Sequence, residues 1–321
     1  MKAAYVKGFG DVDMLQIADV PIQEPGKGEV LVRIKACGLN YADVLQRLGI
    51  YPGGPKPPYI PGMEASGVVE AHSAEITKPA IGTPVIMLAQ CGMQAEYAVI
   101  NANFCTPLPD DLSFSEGAAF PVQYLTAYHA LTTVANAQPT ETVLIHAAGG
   151  GFGTAAVQIG KLLGLKVIGT ASNNEKRKRI LSLGADMAVA YDSFEQACRK
   201  LTNQQGPDII IETVGGNIFR RSLAILPPFG RLIVIGMSSQ QIEKIDTAYL
   251  LFRSKSVLGF HLNALLTKGN LISSSIMKIF NWIRQGKLRI QVGHTFPLSE
   301  IRQAHKLALS RKSFGKIVLI P

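Results

Sequence analysis

The stretch TVLIHAAGGGFG, residues 142–153, decides the fold. Its first five residues are an apolar run of the length of a buried strand, and apolar residues recur at helical spacing from 152 to 163. The glycines between them allow a sharp turn and a close approach of the backbone to another group. Such a turn is typical of dinucleotide sites, because the N–H groups and the dipole at a helix N-terminus bind a pyrophosphate. The alternative is a tight strand-to-helix turn without a ligand.

Strand and helix patterns alternate strictly along the segment that contains this stretch. Strands are predicted at 142–146, 166–170, 187–191, 208–211, 232–235 and 256–260. Helices are predicted between them at 152–163, 175–183, 194–203 and 218–226. The strands are apolar on both faces, so they need helices on both sides of the sheet. The series therefore predicts a parallel, doubly wound sheet of the dinucleotide-binding type.

The segments on either side of this series show a different pattern of predicted elements. Short β-like runs broken by Gly and Pro are predicted at 30–34, 66–70, 84–87 and 95–99, with a helix at 41–47. Beyond Phe260, helices are predicted at 272–284 and 300–309, followed by a last strand at 316–320. That strand has no βα partner, so we expect it to return to the first domain. The predicted fold is therefore α/β, with a doubly wound sheet at 121–261 inserted into a β domain made of 1–120 and 262–321.

Composition and charge limit the partners. The chain has 321 residues, of which 47% are hydrophobic and 17% charged, as in an ordinary globular protein. Its four cysteines are scattered without a C-x-x-C pair, which favours a reducing compartment over a disulfide framework. The net charge of +9 is dispersed and lacks interleaved aromatic residues, so we expect no nucleic-acid partner. No apolar signal core or membrane span is evident, and we expect a cytoplasmic protein.

The end of the second predicted strand bears on cofactor choice. A site for NAD usually has Asp or Glu there to bind the ribose 2′-hydroxyl. Here residues 170–174 contain no acid, and Lys176 follows shortly after. A hydroxyl at Ser172 and an ammonium at Lys176 can bind a 2′-phosphate, so we predict NADPH rather than NADH as the cofactor. The alternative for the basic run 176–179 is a solvated helix face.

Several motifs, in the same order along nearly the whole chain, resemble the zinc-independent quinone oxidoreductases of the medium-chain dehydrogenase/reductase superfamily. The motifs that carry this resemblance are at 36–43, 61–69, 125–128, 146–153, 169–172, 183–186 and 315–319. The resemblance implies a Rossmann domain inserted into a GroES-like β domain formed by both chain ends. It also implies a homodimer, since members of the family are commonly dimeric.

The resemblance also bears on metal binding. Zinc-containing relatives have a Cys ligand where Asn40 stands and a His ligand where Met63 stands. Amide and thioether groups are poor zinc ligands, so we expect no metal. Cys37 could be a ligand or nucleophile, but free cysteine is more often a small buried apolar residue. Without a Lewis acid, we expect hydride transfer to an electron-poor acceptor, a quinone or a conjugated carbonyl compound.

The resemblance places the candidate catalytic residues in the first domain. Asn40 matches a position that contacts nicotinamide or substrate. Tyr51 matches a proton donor of related enoyl reductases, and the alternative is a loop aromatic at the lip of the cleft. Asp43 is expected to orient its neighbours rather than transfer a proton.

The candidate cofactor contacts lie mostly at the carboxyl ends of predicted strands, where doubly wound sheets bind ligands. Besides Ser172 and Lys176, they are Thr126, Gly150, Gly151, Phe152, Tyr191, Val214, Gly215, Gly236, Met237, Phe260, Leu262 and Lys316. Thr126, Tyr191 and Lys316 are carried over from the resemblance, and the alternative for Lys316 is a solvated lysine. His146 is expected to pack or form hydrogen bonds beneath the glycine turn.

Three functions remain open from the sequence. The first is an NADPH-dependent quinone reductase. The second is a reductase of the double bonds of alkenals or enoyl thioesters, which uses the same hydride geometry. The third is a non-catalytic NADPH-binding protein with a structural or redox-sensing role. All three require the same glycine turn.

Overall fold

The computed structural model describes residues 1–265 and 268–321, which divide into two compact units. The first unit comprises Met1–Val122 and Ile290–Pro321, and the second comprises Gln123–Arg289. The predicted boundary between 261 and 262 falls inside the second unit. Residues beyond it belong there because Ser275 Oγ lies 3.0 Å from His129 Nε2 and the Arg289 N–H donates to Gln158 Oε1 over 2.9 Å.

Short strands dominate the N-terminal part of the first unit. Its elements are β1 (Lys2–Val6), β2 (Leu15–Asp19), β3 (Glu29–Leu39), α1 (Tyr41–Leu48), β4 (Glu64–His72), β5 (Pro84–Leu88), β6 (Tyr97–Asn101), β7 (Cys105–Pro107) and α2 (Phe114–Ala118). The runs predicted at 30–34, 66–70 and 84–87 lie within β3, β4 and β5. β2, β7 and α2 were not predicted, because they are too short to show a clear period.

The second unit alternates strands and helices. Its elements are α3 (Pro121–His129), β8 (Thr142–Ile145), α4 (Gly151–Leu162), β9 (Lys166–Thr170), α5 (Asn174–Ser182), β10 (Met187–Val189), α6 (Phe194–Leu201), β11 (Ile209–Glu212), α7 (Gly216–Ile225), β12 (Arg231–Val234), α8 (Thr247–Arg253), β13 (Ser256–Gly259) and α9 (Gly269–Arg284). The strands form one parallel sheet in the order β10-β9-β8-β11-β12-β13, so the doubly wound sheet is confirmed. The strand order reverses between β8 and β11, where such sheets bind ligands.

The C-terminal part of the chain completes the first unit. Its elements are β14 (Val292–Pro297), α10 (Ile301–Ser310) and β15 (Lys316–Ile320). β15 pairs antiparallel with β3, which confirms that the last strand returns to the first unit. The sheet order is β14-β15-β3-β4-β5-β7, with β6 also paired to β3. This arrangement brings the start of β15 beside the end of β3.

The remaining expectations concern cysteines and membranes. All four cysteines are unpaired, and Cys37 and Cys198 are buried. Among residues 1–265 and 268–321, no helix combines the length and apolar character that a membrane crossing requires.

Candidate active site

A buried polar cluster lies where three strands of the first unit meet. Asn40 directly follows β3, Glu64 begins β4 and Lys316 begins β15. The side-chain amide of Asn40 donates from Nδ2 to Glu64 Oε1 over 2.8 Å and accepts at Oδ1 from Lys316 Nζ over 2.6 Å. Lys316 Nζ also forms an ion pair with Glu64 Oε1. The three residues are at most 4% exposed, so Lys316 is not a solvated lysine.

The local backbone makes room for this cluster. β3 pairs with β4 through Gly38 and Glu64, and with β15 through Leu39 and Ile317. A Cβ on Gly38 would lie 2.8 Å from both Glu64 Cγ and Lys316 Cε. The same Cβ would overlap the Ala118 carbonyl oxygen. Glycine at 38 is therefore required by the backbone of Ala118 and by the ion pair, contacts that the sequence pattern did not indicate.

Asp43 lies next to this cluster on α1 and is fully buried. Its Oδ2 accepts the backbone N–H of Asn40 over 2.7 Å, and Gln94 Nε2 lies 3.4 Å from the same oxygen. Its Oδ1 has no hydrogen-bond partner among the described residues. Burial raises the pKa of Asp43 to about 7, and the Asn40 N–H acts in the opposite direction. The carboxyl group therefore holds the main chain of Asn40, and it can gain or lose a proton near neutral pH.

The charge of Asp43 contributes to raising the pKa of two tyrosines, Tyr51 and Tyr59. Tyr51 is half-buried, and burial together with Asp43 raises its pKa, so the phenol keeps its proton at neutral pH. Tyr59 was not predicted as a site residue. Its Oη is buried without a partner among the described residues, and burial followed by Asp43 raises its pKa. Its sequence context gave no signal, because it follows a Pro-rich loop.

The side chains at this position do not fit a catalytic zinc. Asn40 and Met63 offer an amide and a thioether, and the carboxylate of Glu64 is paired with Lys316. The Cys37 thiol is packed in the core and lies 3.6 Å from the Leu319 carbonyl oxygen, and burial raises its pKa far above the usual range. No group of three His, Cys, Asp or Glu side chains suited to a metal occurs in the described part of the chain.

In the second unit, the glycine turn joins β8 to α4. The helix begins at Gly151 after Gly150, with no side-chain cap and no acidic residue in its first turn. A Cβ on Gly153 would overlap the Ala147 carbonyl oxygen and lie 2.5 Å from Ala148 Cα. The turn therefore packs backbone against backbone and leaves its helix N-terminus without a competing carboxylate. This geometry fits a pyrophosphate.

A neutral network lies beneath the turn, as expected for His146. The buried imidazole lies between the hydroxyls of Thr170, at 3.1 Å from Nδ1, and Ser222, at 2.8 Å from Nε2. Burial, followed by Arg221, lowers the pKa of His146 to about 3, so the ring stays neutral. Tyr191 stacks on His146 and accepts the Ala147 N–H at its hydroxyl over 3.0 Å. The Tyr191 side chain is thus attached to the glycine turn.

The two residues predicted for a 2′-phosphate lie beyond β9 in different environments. Ser172 is exposed, whereas Lys176 is only 9% exposed. Asn173 Oδ1 accepts the Lys176 backbone N–H over 2.9 Å and so caps α5. Burial, followed by Arg179, lowers the pKa of Lys176. The neighbouring Arg177 instead donates to the Ala171 carbonyl oxygen, which closes the turn that carries Ser172.

The remaining predicted residues of the second unit follow strands or lie on α3. Val214 and Gly215 follow β11, Gly236 and Met237 follow β12, Phe260 and Leu262 follow β13, and Thr126 lies on α3. Sequence reasoning missed Glu212. This buried carboxylate accepts the N–H groups of Val214 and Gly215 over 2.8 and 2.9 Å and so fixes the loop after β11. A carboxylate at the end of an apolar strand was the available signal.

Comparison with known proteins places these features in a family. The zinc-binding dehydrogenase family matches residues 151–274, and the alcohol dehydrogenase GroES-like domain matches residues 26–110. A quinone oxidoreductase-like protein 2 homolog of Nematostella vectensis is 33% identical over 92% of this chain and 82% of its own length. A synaptic vesicle membrane protein VAT-1 homolog of Danio rerio is 33% identical over 99% of this chain and 69% of its own length.

Solved structures are similar over the whole chain. The quinone oxidoreductase of Thermus thermophilus, described with its NADPH complex, is 39% identical with a TM-score of 0.85, and each chain is fully covered. The quinone oxidoreductase of Escherichia coli complexed with NADPH is 27% identical with a TM-score of 0.94, again with full coverage of both chains. The CurK enoyl reductase is 28% identical with a TM-score of 0.89, over 99% of this chain and 98% of that one.

The inserted parallel sheet and the GroES-like unit define the class of protein: this chain belongs to the medium-chain dehydrogenase/reductase superfamily. Within it, the chain is a member of the zinc-independent quinone oxidoreductase family, as its sequence indicated.

Proposed function

We propose that this chain is an NADPH-dependent reductase that transfers hydride to quinones without a metal. The observation that carries the proposal is Asn40. Where zinc-containing relatives place a ligand, this chain has an amide held between Lys316 and Glu64. An acceptor that is already electron-poor needs orientation and hydrogen bonding rather than a Lewis acid, and quinones are such acceptors.

The choice of NADPH has separate support. The uncapped N-terminus of α4 suits a pyrophosphate, and residues 170–174 contain no acid that would repel a 2′-phosphate. Lys176 stands at the start of α5, where it is proposed to bind that phosphate together with Ser172. The similar quinone oxidoreductases of Thermus thermophilus and Escherichia coli are described as NADPH complexes.

The bound dinucleotide would supply a hydride, and the chain's own residues would position the acceptor and manage the proton. Reduction of a quinone to a hydroquinone takes this hydride and one proton. Asn40 would orient the nicotinamide or the acceptor through its fixed amide. Tyr51 keeps its proton at neutral pH and would donate it to the developing oxyanion, and Asp43 would hold the main chain of Asn40 in place.

A second candidate is a double-bond reductase for alkenals or enoyl thioesters. The similarity to the CurK enoyl reductase and the protonated Tyr51 favour it, because reduction of an enone also needs a hydride and then a proton. A third is a non-catalytic NADPH-binding protein, which agrees with the curated relatives that are named for synaptic vesicles rather than for a reaction.

Steady-state NADPH oxidation separates these candidates. The purified chain would be assayed with benzoquinone-type acceptors, alkenals and enoyl thioesters, with NADH in parallel. Turnover with quinones and little with enones supports the proposal. Turnover with enones alone supports the second candidate. Tight NADPH binding without turnover supports the third. Tyr51→Phe should lower turnover, whereas Tyr97→Phe, on β6, is the matched control.

The cofactor preference has its own test. Lys176→Ala should weaken NADPH binding at least about tenfold more than NADH binding, because only NADPH carries the 2′-phosphate. Lys178→Ala removes an exposed charge from the same helix and is the control. Equal losses for both cofactors in Lys176→Ala would show that the 2′-phosphate is bound elsewhere.

We also propose that the chain forms a homodimer through one end of the parallel sheet. β13 is the terminal strand of this sheet, and α8 beside it in sequence has no buried residue. Phe229, Leu251 and Phe252 are 72–82% exposed, an apolar surface that a second copy would cover. Sedimentation should show a dimer that Phe252→Asp shifts toward monomer.

A cytoplasmic location stays a prediction, to be checked by cell fractionation.

A further inference from the structure

Both members of the buried ion pair, Lys316 and Glu64, also form hydrogen bonds with the side-chain amide of Asn40. We propose that Lys316 and Glu64 form a clamp that fixes the side-chain amide of Asn40 in one orientation, so that both are positioning residues of the active site. This inference rests on the proposed function for its catalytic consequence. In this arrangement Lys316 acts through Asn40 rather than by contacting the cofactor directly.

The clamp distinguishes the two ends of the amide. Asn40 Nδ2, a donor, faces the Glu64 carboxylate at 2.8 Å, and Asn40 Oδ1, an acceptor, faces the Lys316 ammonium at 2.6 Å. A flip of the amide by 180° would set an oxygen against the carboxylate and an N–H₂ group against the ammonium. Both contacts would then be repulsive in a region with little water to screen them.

The clamp is itself held in place. Glu64 Oε2 accepts the backbone N–H of Val122 over 2.7 Å, which leaves Oε1 for Asn40 and Lys316. Lys316 is anchored through its backbone N–H, which donates to the Gln291 carbonyl oxygen over 2.7 Å. The Asn40 backbone N–H is bound by Asp43. Asn40 is therefore fixed at both its main chain and its side chain.

Stability alone does not account for such a pair. A buried ion pair loses hydration that its attraction only partly restores, and apolar residues of similar size are often as stabilising. What apolar residues cannot do is distinguish an amide oxygen from an amide nitrogen. An active site must present the same edge of Asn40 to nicotinamide or substrate at each turnover. The clamp provides this fixed orientation because it distinguishes the amide oxygen from the amide nitrogen.

The sharpest test neutralises both charges at once. In Lys316→Met/Glu64→Gln, no buried charge is left unpaired, and the oxygen of the amide introduced at position 64 can still accept the Val122 N–H. The N–H₂ group of that introduced amide would then face Asn40, and no donor remains at position 316. We expect the Asn40 amide to turn its oxygen toward residue 64, which a neutron crystal structure of the variant without cofactor would show, because neutrons distinguish the amide oxygen from the N–H₂ group.

The kinetic test asks whether the clamp acts through Asn40. We expect kcat with a quinone to fall at least about tenfold in the double variant, while the Kd for NADPH changes less than about threefold. In an Asn40→Ala background, the same two substitutions should change kcat less than about twofold, because there is no amide left to orient. A purely structural role would instead lower kcat in both backgrounds.

A matched control exists in the second unit. Lys161 and Asp186 form a more exposed pair at 2.7 Å, and Asp186 also accepts a backbone N–H, that of Val167. Lys161→Met/Asp186→Asn should leave kcat within about twofold of the parent. If the clamp variant does not fold, Lys316→Arg keeps the buried charges paired but changes the donor geometry at Asn40 Oδ1. A fall in kcat that disappears in the Asn40→Ala background supports the clamp, and a fall that persists there overturns it.

The outcomes separate the two proposals. An unturned Asn40 amide in the variant, or a kcat within about twofold of the parent, overturns the clamp. If the parent chain turns over neither quinones nor enones, the proposed function is lost, but the orientation of Asn40 in the cofactor-free crystals still decides whether Lys316 and Glu64 set it.

Discussion

Each unit contains a buried polar cluster, and the two clusters are built by opposite means. In the first unit, Lys316 and Glu64 are charged, and Asp43 beside them has an oxygen without a partner among the described residues. In the second, His146 is neutral, and both ring nitrogens lie within hydrogen-bond distance of hydroxyl groups. The first cluster is where we place the orientation of the nicotinamide or the acceptor by Asn40. The second supports a backbone turn that would bind an anion and needs no titrating group of its own.

The difference should show as opposite pH dependences of stability. Burial lowers the pKa of His146, so the unfolded chain binds more protons there and stability is lost as the pH falls below about 6.5. Burial raises the pKa of Asp43, so the folded chain binds more protons there and stability is lost as the pH rises from about 4 toward 7.

The largest effect is expected from breaking the ion pair on one side only. Lys316→Met leaves the fully buried Glu64 carboxylate without its cation, which should lower the free energy of unfolding by about 3–5 kcal/mol. Lys161→Met, in the exposed pair, should lower it by less than about 1 kcal/mol. Urea denaturation of both variants gives the comparison. Equal losses in the free energy of unfolding would mean that water reaches the first cluster and screens its charges.

The close backbone packing of the glycine turn gives the next effect. Gly153→Ala should destabilise the chain by about 2–3 kcal/mol, because its Cβ would meet Ala147 and Ala148. Gly150→Ala is the matched control: its Cβ would lie 3.4 Å from the Ala147 carbonyl oxygen, an ordinary contact. The control should lose about 1 kcal/mol or less in thermal unfolding.

Lowering the pH tests whether His146 in the second cluster stays neutral in the folded chain. Between pH 7.5 and 4.5, the parent chain should lose about 2 kcal/mol more stability than His146→Phe, because only the parent must keep a buried imidazole uncharged. Chemical denaturation at several pH values measures this difference. His261→Phe, at an exposed position, should follow the parent. Parallel curves for the parent and His146→Phe would show that His146 is protonated in the fold.

The smallest effect concerns Asp43 and has the opposite sign. From pH 5 to 7, the parent should lose about 1 kcal/mol or more of stability relative to Asp43→Asn, since the amide cannot ionise. Asp110→Asn, at an exposed position, is the control for the same measurement. A parent that gains stability over this range relative to Asp43→Asn would place the pKa of Asp43 below its usual value.

The clusters also differ in how far the sequence predicted them. Asn40, Asp43 and Tyr51 came from the resemblance, whereas the role of Glu64 and the contacts that Lys316 makes with Glu64 and Asn40 did not. Glu64 lies 24 positions from Asn40, and Lys316 lies 276 positions from it. No local period connects residues so far apart. Glu212 was missed for a different reason, since its partners Val214 and Gly215 are near it in sequence and the carboxylate at the end of an apolar strand was a usable signal.

The sequence by itself determined the alternation of strands and helices, the glycine turn after β8 and the absence of zinc ligands at Asn40 and Met63. These features follow from local periodicity and side-chain chemistry, which neighbouring residues suffice to express. Only the tertiary structure decided that Lys316 meets Asn40 and Glu64, and that Asp43 is buried enough to hold a proton near neutral pH. Those properties depend on desolvation and on strands brought together from distant parts of the chain.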